Sequence, residues 1–380
     1  MKKVLFISHD ASRTGAPILL LNFLRWFKEN TNIPFKIILG KGGPLEAEFA
    51  ELAPVTVYRQ YRRDRLSQTV LNRLSLYRLK QYLARDDIGL IYANTITNHH
   101  ILNQLAFLQC PVISHVHELE YIIHLMAGDQ FATTKSLTTH YITASNAVKD
   151  NLVSRHLIPP AHIDTVYGFV PVANLKPNIA LSKRDTIRAQ LHLPDNAFVV
   201  GASGTLGWRK SPDLFIQLAQ SVRRKYPEAP IYFMWIGGDE GEHLRYFELR
   251  YDIQRLNLEH SIRFLGNQPN PLEYFAAFDV FALLSREDPY PLVCLEAALL
   301  EKPILCFDNS GGEKEFVEDD CGFVIPYLDI ETTADKIHLL LESPELRQRF
   351  GQRAAQKVRE RHDISTAASQ LTQIIQRFYQ

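Results

Sequence analysis

At 380 residues, the chain is too long for one small module and, at about 100 to 200 residues per domain, predicts two or three domains. Hydrophobic residues make up 46% and charged residues 22%, so real cores can be buried and a disordered chain is excluded. Lys plus Arg and Asp plus Glu each total 42, a formal net charge of zero, which argues against a protein that coats nucleic acid and leaves electrostatic work to local patches.

The N-terminus opens with Met1-Lys2-Lys3, but the apolar run at 4–7 stops at Ser8-His9-Asp10, which is too short for export. That run predicts a strand, followed by a polar stretch closing on Gly15 and a helix over 17–27. Further strands are expected at 35–39, 90–92, 112–116 and 141–144, each followed by turn residues or a helix-like segment. Such alternation predicts a parallel sheet covered on both faces. Between 159 and 195, Pro159, Pro160, Pro171, Pro177 and Pro194 punctuate a stretch of weak periodicity, read as a linker with a short helix near 183–191. A second alternating set begins at 198–200 with Gly201-Ala202-Ser203-Gly204 behind it and a helix from Pro212, well placed in a first turn. Strands at 231–236, 262–265, 280–284, 303–307 and 323–325 continue it, so two similar α/β halves are expected. The last stretch, 343–380, is helical, with Phe350, Ala354, Val358, Leu371, Ile375 and Phe378 as its inward positions. It either packs across both halves or completes the second. No run reaches about 18 apolar residues, so no spanning helix is expected. Cys110, Cys294, Cys306 and Cys321 lie far apart without a C-x-x-C pair, which suggests neither a zinc cage nor a disulfide framework and fits a reducing cytoplasm.

Open α/β sheets bind ligands at the carboxyl ends of their strands, so two such halves facing each other would form a cleft lined by loops. Four features then carry chemistry. Gly204-Thr205-Leu206-Gly207-Trp208-Arg209-Lys210-Ser211 follows a predicted strand and opens a helix; glycines admit a phosphate, helix N–H groups point at it, and the adjacent cations neutralise it. It is neither G-x-G-x-x-G nor a P-loop, and a plain glycine turn with solvated cations has the same pattern. In the acidic, proline-rich stretch 285–298, Asp288 and Glu296 are separated by seven residues, so a loop carboxylate and a helix carboxylate could meet one polyhydroxyl ligand. Alone, such carboxylates also serve as solvated or dipole-compensating groups. In Ser114-His115-Val116-His117-Glu118, both histidines face one side of a strand; packing, or zinc held with Glu118, are the alternatives. Finally, Arg59, Arg62, Arg63, Arg65, Arg73, Arg78, Lys80 and Arg85 stand against Asp64 alone, with Leu66, Val70, Leu74 and Tyr77 as an apolar stripe. This stretch reads either as a solvated helix packed on the sheet or as a surface for anionic lipid or a phosphorylated acceptor.

The loop and helix at 285–298 resemble the E-x7-E signature of retaining, family-4 glycosyltransferases of the GT-B fold (glycosyl transferases group 1), with Asp288 for the usual first Glu and Glu296 as the second. The glycine turn with Arg209 and Lys210 is similar to that family's diphosphate site, although Thr205 stands where the family more usually has an arginine, which leaves Arg209 as the substitute. Gly311-Gly312-Glu313-Lys314-Glu315-Phe316-Val317 resembles the late G-G-x-x-E-x-V segment, and Ser8-His9-Asp10-Ala11-Ser12-Arg13-Thr14-Gly15-Ala16-Pro17 the family's first loop, whose glycine lies beside the donor phosphates and acceptor. The match spans Ser8 to Pro326.

The resemblance implies two Rossmann-like doubly wound domains facing across a cleft: an acceptor domain at 1–175, a nucleotide-sugar domain at 176–360, and a C-terminal helix at 361–380 crossing back to the first. It implies sugar transfer from a nucleoside-diphosphate sugar to a sugar, lipid-linked or other hydroxyl acceptor, in polysaccharide or glycolipid assembly. The implied catalytic residues are His117, Arg209, Lys210 and Asp288. The implied donor-binding residues are Gly15, Ala16, Gly204, Arg209, Lys210, Asp288, Pro291, Leu292, Val293 and Glu296. No cofactor, metal or nucleic acid is implied, and the expected location is the cytoplasm, with peripheral contact at the inner face of an anionic membrane. Two alternatives remain: a catalytically silent nucleotide-sugar-binding protein, and a nicotinamide-dependent oxidoreductase, against which stands the missing dinucleotide fingerprint after Ile7 and Val200.

Overall fold

The protein is described by a computed structural model over residues 2–58, 66–83, 86–238 and 243–379. Among these residues the strands form two sheets, of seven and six strands, in two compact units, 1–168 with 364–380, and 169–363.

In the first unit, β1 (Lys3–Ser8), β2 (Phe35–Leu39), β3 (Val55–Val57), β4 (Ile88–Asn94), β5 (Val112–Val116), β6 (His140–Thr143) and β7 (Ile163–Thr165) run parallel in the order β3-β2-β1-β4-β5-β6-β7. The central strands are buried along almost their whole length, because a parallel sheet is covered on both faces and leaves no side for polar alternation. Phe6 anchors one face through edge contacts with Phe23, Phe27 and Phe35 at centroid distances of 6.0, 5.6 and 5.6 Å. The strand order reverses between β1 and β4, so the loops leaving their carboxyl ends part to opposite faces and open a crevice. His9, Thr95 and His117 follow the ends of β1, β4 and β5 there.

In the second unit, β8 (Phe198–Ser203), β9 (Ile231–Ile236), β10 (Ile262–Phe264), β11 (Val280–Leu283), β12 (Ile304–Phe307) and β13 (Gly322–Ile325) are ordered β10-β9-β8-β11-β12-β13, again parallel. Its switch point lies between β8 and β11. The helix Pro212–Lys225 buries Leu214, Phe215, Leu218, Ala219 and Val222 at helical spacing against Phe233 and Trp235.

Three readings from sequence need correction. The stretch 159–195 is more than a linker with one short helix: the expected helix is there as Arg184–Gln190, but the stretch also contributes the edge strand β7 and the helices Val172–Leu175 and Pro177–Ser182. The C-terminal run is two helices, Pro344–Arg361 and Ile364–Phe378, interrupted where Val170 N–H donates to His362 O (3.0 Å) and Val172 N–H to Asp363 Oδ1 (3.1 Å). Phe350, Ala354 and Val358 are buried in the second unit, whereas Leu371 and Ile375 are buried on the helix that packs against Gly15–Asn30 in the first. Phe378 is only half-buried, its ring 4.9 Å from that of His140.

Of the basic stretch, Arg59, Arg62, Arg63, Arg65 and Arg85 lie outside the described residues. The helix Leu66–Leu83 turns Leu79 and Leu83 inward and leaves Leu74 and Tyr77 exposed, 43% and 60%. Of the stripe Leu66, Val70, Leu74 and Tyr77, the last two therefore do not face inward; the side chains of Leu66, Val70 and Arg73 lie outside the described ones. Among the described residues no helix is long and apolar enough to cross a membrane.

Candidate active site

The second unit brings the glycine turn and the acidic loop into direct contact. After β8 the chain passes Gly204, makes a short turn at Trp208–Lys210, and enters the helix at Pro212 through Ser211, whose φ is +61°. A Cβ at position 204 would sit 3.1 Å from Lys210 Cγ. Glycine there lets the lysine stem fold back across the strand end.

Lys210 Nζ donates to Asp288 Oδ2 in a short ion pair. Ser285 Oγ donates to the same oxygen at 3.1 Å. Arg209 Nη1 donates to Glu287 O at 2.7 Å and lies 3.6 Å from Asp288 Oδ1. The lysine and aspartate side chains are 14% and 5% exposed, so the pair is largely desolvated. Burial alone would raise the Asp288 carboxyl, but Lys210 and Arg209 outweigh it and hold the group below the ordinary carboxylate range.

The loop is also tied by its backbone. Asp288 N–H donates to Ser310 O at 2.8 Å and Gly312 N–H to Asp288 O at 3.1 Å. A Cβ at Gly311 would lie 1.6 Å from Asp288 O, so only glycine permits this approach. Arg286, which sequence reasoning did not single out, grips Asp213 with both guanidinium nitrogens (3.0 and 2.7 Å), while its N–H donates to Arg209 O at 2.8 Å. This links the acidic loop to the cationic turn and satisfies Asp213 in the first turn of its helix.

Two further carboxylates stand close in the chain. The helix Leu292–Leu299 starts after buried Pro291 and buries Cys294, Leu295, Ala297, Ala298 and Leu299; Leu292, Val293 and Glu296 share its half-buried face. Glu296 makes no hydrogen bond or ion pair among the described residues, and burial pushes its carboxyl up to about 7. Glu313 is 2% exposed and takes a hydrogen bond from Ser310 Oγ. Burial, reinforced by the charge of Asp288, pushes it up to about 8. Within the late glycine segment it is thus Glu313, rather than half-buried Glu315, that sits deepest.

The histidines belong to the first unit. His115 and His117 do lie together, ring centroids 3.9 Å apart. His115 Nδ1 is 2.6 Å from Tyr92 Oη and His117 Nε2 is 2.8 Å from Asn94 Oδ1. Burial, with His9 adding to it, pushes His117 down to about 3. Glu118 Oε2 accepts from the N–H groups of His117 (2.8 Å) and Ile96 (3.4 Å), bracing the loop. Among the described residues no group of three or more His, Cys, Asp and Glu is placed to hold a metal ion. Gly15 is the exposed first residue of its helix and Ala16 the half-buried second; Ala16 O accepts from Asn94 Nδ2 at 3.0 Å. Asn94 carried no motif in the sequence; its only signal was a polar residue closing an apolar run.

Residues 183–357 match the family model described as glycosyl transferases group 1. A D-inositol 3-phosphate glycosyltransferase of Corynebacterium urealyticum is 27% identical over 193 residues, 50% of this chain and 45% of that protein. The amylovoran biosynthesis glycosyltransferase AmsD of Erwinia amylovora is 26% identical over 223 residues, 58% of this chain and 55% of that one. The match thus spans about half the length of these curated relatives. Among solved structures, HepE of Anabaena in complex with UDP and glucose superposes with a TM-score of 0.83 over 99% of this chain and 100% of its own, at 22% identity. Residues 183–357, which carry Arg209, Lys210, Asp288 and Glu296, are thus similar to the glycosyl transferases group 1 family, and the fold of the chain is GT-B.

Proposed function

We propose that this chain is a retaining glycosyltransferase that moves a sugar from a nucleoside-diphosphate sugar to a hydroxyl acceptor. The observation that carries the reading is the Lys210–Asp288 pair, with Arg209 beside it, at the switch point of the second sheet. Switch points of open α/β sheets bind nucleotides, and two cations beside a helix N-terminus suit a diphosphate. In the resting protein Asp288 neutralises these cations. An arriving diphosphate offers stronger acceptors, and Lys210 and Arg209 then stabilise the charge that grows as the sugar–phosphate bond breaks. Asp288 keeps Lys210 in place, and acceptor capacity at its Oδ1 is available to a sugar hydroxyl.

Glu296, half-buried and without a hydrogen-bond or ion-pair partner among the described residues, accepts from the ribose hydroxyls, and the leading N–H groups of Leu292 and Val293 have no intrahelical partner and add donors for phosphate. In the first unit, the resemblance assigns His117 to the transferred sugar and the backbone near Gly15 to the donor phosphates and acceptor. Retention follows the family resemblance, since no residue identifies a covalent nucleophile. The complexes of HepE with UDP and with UDP-glucose support testing UDP-sugars first, and the name of the Erwinia relative supports a role in polysaccharide assembly.

A thermal-shift series against UDP-, GDP- and ADP-sugars tests the reading, because a ligand that binds only the folded state stabilises it by RT ln(1 + [L]/Kd). At a hundredfold excess over Kd, the matching donor is expected to add about 2.7 kcal/mol and to be consumed when acceptor extract is supplied. Stabilisation without hydrolysis or transfer would favour a silent binding protein. No stabilisation by any nucleotide sugar would remove the reading.

We also propose a cytoplasmic site of action with peripheral contact on anionic lipid, through exposed Leu74 and Tyr77 beside exposed Arg78 and Lys80. Charge reversal at Arg78 and Lys80 is expected to release the protein from phosphatidylserine liposomes at low salt. Wild-type protein that ignores such liposomes would show the surface has another use.

A further inference from the structure

Asn94 closes β4 and is fully buried. Its Nδ2 donates to Ala16 O and its Oδ1 faces His117 Nε2. A backbone carbonyl can only accept, which fixes the amide: the NH2 points at Ala16 and the oxygen at the ring. An amide oxygen also only accepts, so the proton between Asn94 and His117 must sit on Nε2 of the imidazole. Nδ1 then keeps its lone pair, and it makes no hydrogen bond among the described residues.

The surroundings hold Asn94 in this pose. Thr95, the next residue, is buried with φ +88° and ψ 152°, a region that costs a β-branched residue about 1–3 kcal/mol and persists only where neighbours over-determine it. Here they do. Thr95 N–H donates to His115 O at 2.8 Å, and buried Asn98 Nδ2 reaches Asn94 O at 2.7 Å and Thr95 O at 3.3 Å. Behind His117 the ring of His115 is fixed by Tyr92. Strained backbone, an amide clamp and two braced rings converge on one side chain whose remaining nitrogen is uncommitted.

We propose that Asn94 is a positioning residue that holds His117 as the Nε2–H tautomer, so that Nδ1 presents a hydrogen-bond acceptor to a hydroxyl of the transferred sugar. The tautomer rests on the contacts above; the sugar hydroxyl rests on the glycosyltransferase reading. Burial and His9 keep the imidazole neutral, so the lone pair is present throughout the physiological range. His117 can accept from a hydroxyl there but repels an acceptor-only group such as a carboxylate.

The test uses the full chain labelled with 15N-histidine, with His117 assigned through His117→Gln and its tautomer read from long-range 1H–15N correlations. Wild-type protein is expected to carry the proton on Nε2 alone, and Asn94→Ala to populate both tautomers. Asn94→Asp, which retains an acceptor, should keep Nε2–H and raise the imidazole pKa. With a donor that turns over, Asn94→Ala should lower kcat at least about tenfold through lost orientation while leaving UDP affinity unchanged. An Nδ1–H tautomer in wild type, or an unaltered Nε2–H form in Asn94→Ala, would overturn the proposal. If Asn94→Ala does not fold, Asn94→Asp decides alone, and an unmoved imidazole pKa counts against it. Absence of turnover with every donor would remove the transferase reading, while the correlations would still decide the tautomer.

Discussion

Lys210→Ala is expected to lower sugar transfer about 10²- to 10³-fold, the range seen when one preorganised donor to a developing negative charge is removed. The loss should fall on kcat, because the charge on the leaving diphosphate exists fully only as the bond breaks. The same change strands Asp288, which is 5% exposed on its side chain, and breaking a buried ion pair from one side costs about 3–5 kcal/mol. Arg209, 3.6 Å away, retains part of the compensation, so a loss near 3 kcal/mol is expected. Adding Asp288→Ala to Lys210→Ala separates the two effects. Urea midpoints should largely recover, since no buried carboxylate is left stranded and Arg209, 26% exposed on its side chain, is partly solvated, whereas initial rates should not. Turnover within a few-fold of wild type in Lys210→Ala would show that the lysine serves only the fold.

The second large effect concerns pH. Glu313 and Glu296 titrate near 8 and 7 in the folded protein against an ordinary 4.5. A raised carboxyl pKa means that the folded state keeps a proton which the unfolded chain gives up above 4.5. The stability these groups contribute is therefore complete below about 4.5 and is lost as pH rises through 7 to 8. Glu313→Gln keeps an amide oxygen for Ser310 but cannot ionise. It is expected to match wild type near pH 5 and to exceed it by on the order of 3 kcal/mol near pH 9, read from urea midpoints. Glu296 is half-buried and reached by water, so its stability effect is smaller; its larger consequence is for ligand. An ionised carboxylate is the better acceptor, so affinity for UDP should rise as pH passes 7, and Glu296→Gln should flatten that rise. A wild-type stability profile that climbs from pH 5 to 9 would refute the assignment of both groups.

How much of this was legible in the sequence depended on how much of each element is apolar. Runs such as 35–39 and 231–236 are buried nearly throughout, so their strands were read with the bounds they have. The edge strands β3 and β7 were not read, because three residues with at most one fully buried side chain offer no period to detect. The cationic turn and the acidic loop were readable because glycine and charge cluster there in the chain, yet their contact spans 78 residues in sequence and only the fold shows it. Period-two spacing placed His115 and His117 on one face, and the structure brings their rings together, tilted by 42° at a centroid distance of 3.9 Å. Asn94, Arg286 and Glu313 escaped because a single polar residue at a strand end or in a turn has many uses, and only its partners reveal which one applies.

The most direct test of the central claim is a crystal structure of the chain with UDP and its matching sugar donor. Diphosphate oxygens within hydrogen-bond distance of Arg209 and Lys210, and ribose hydroxyls on Glu296, are the predicted result. A nucleotide bound elsewhere, with both cations still closed on Asp288, would contradict it.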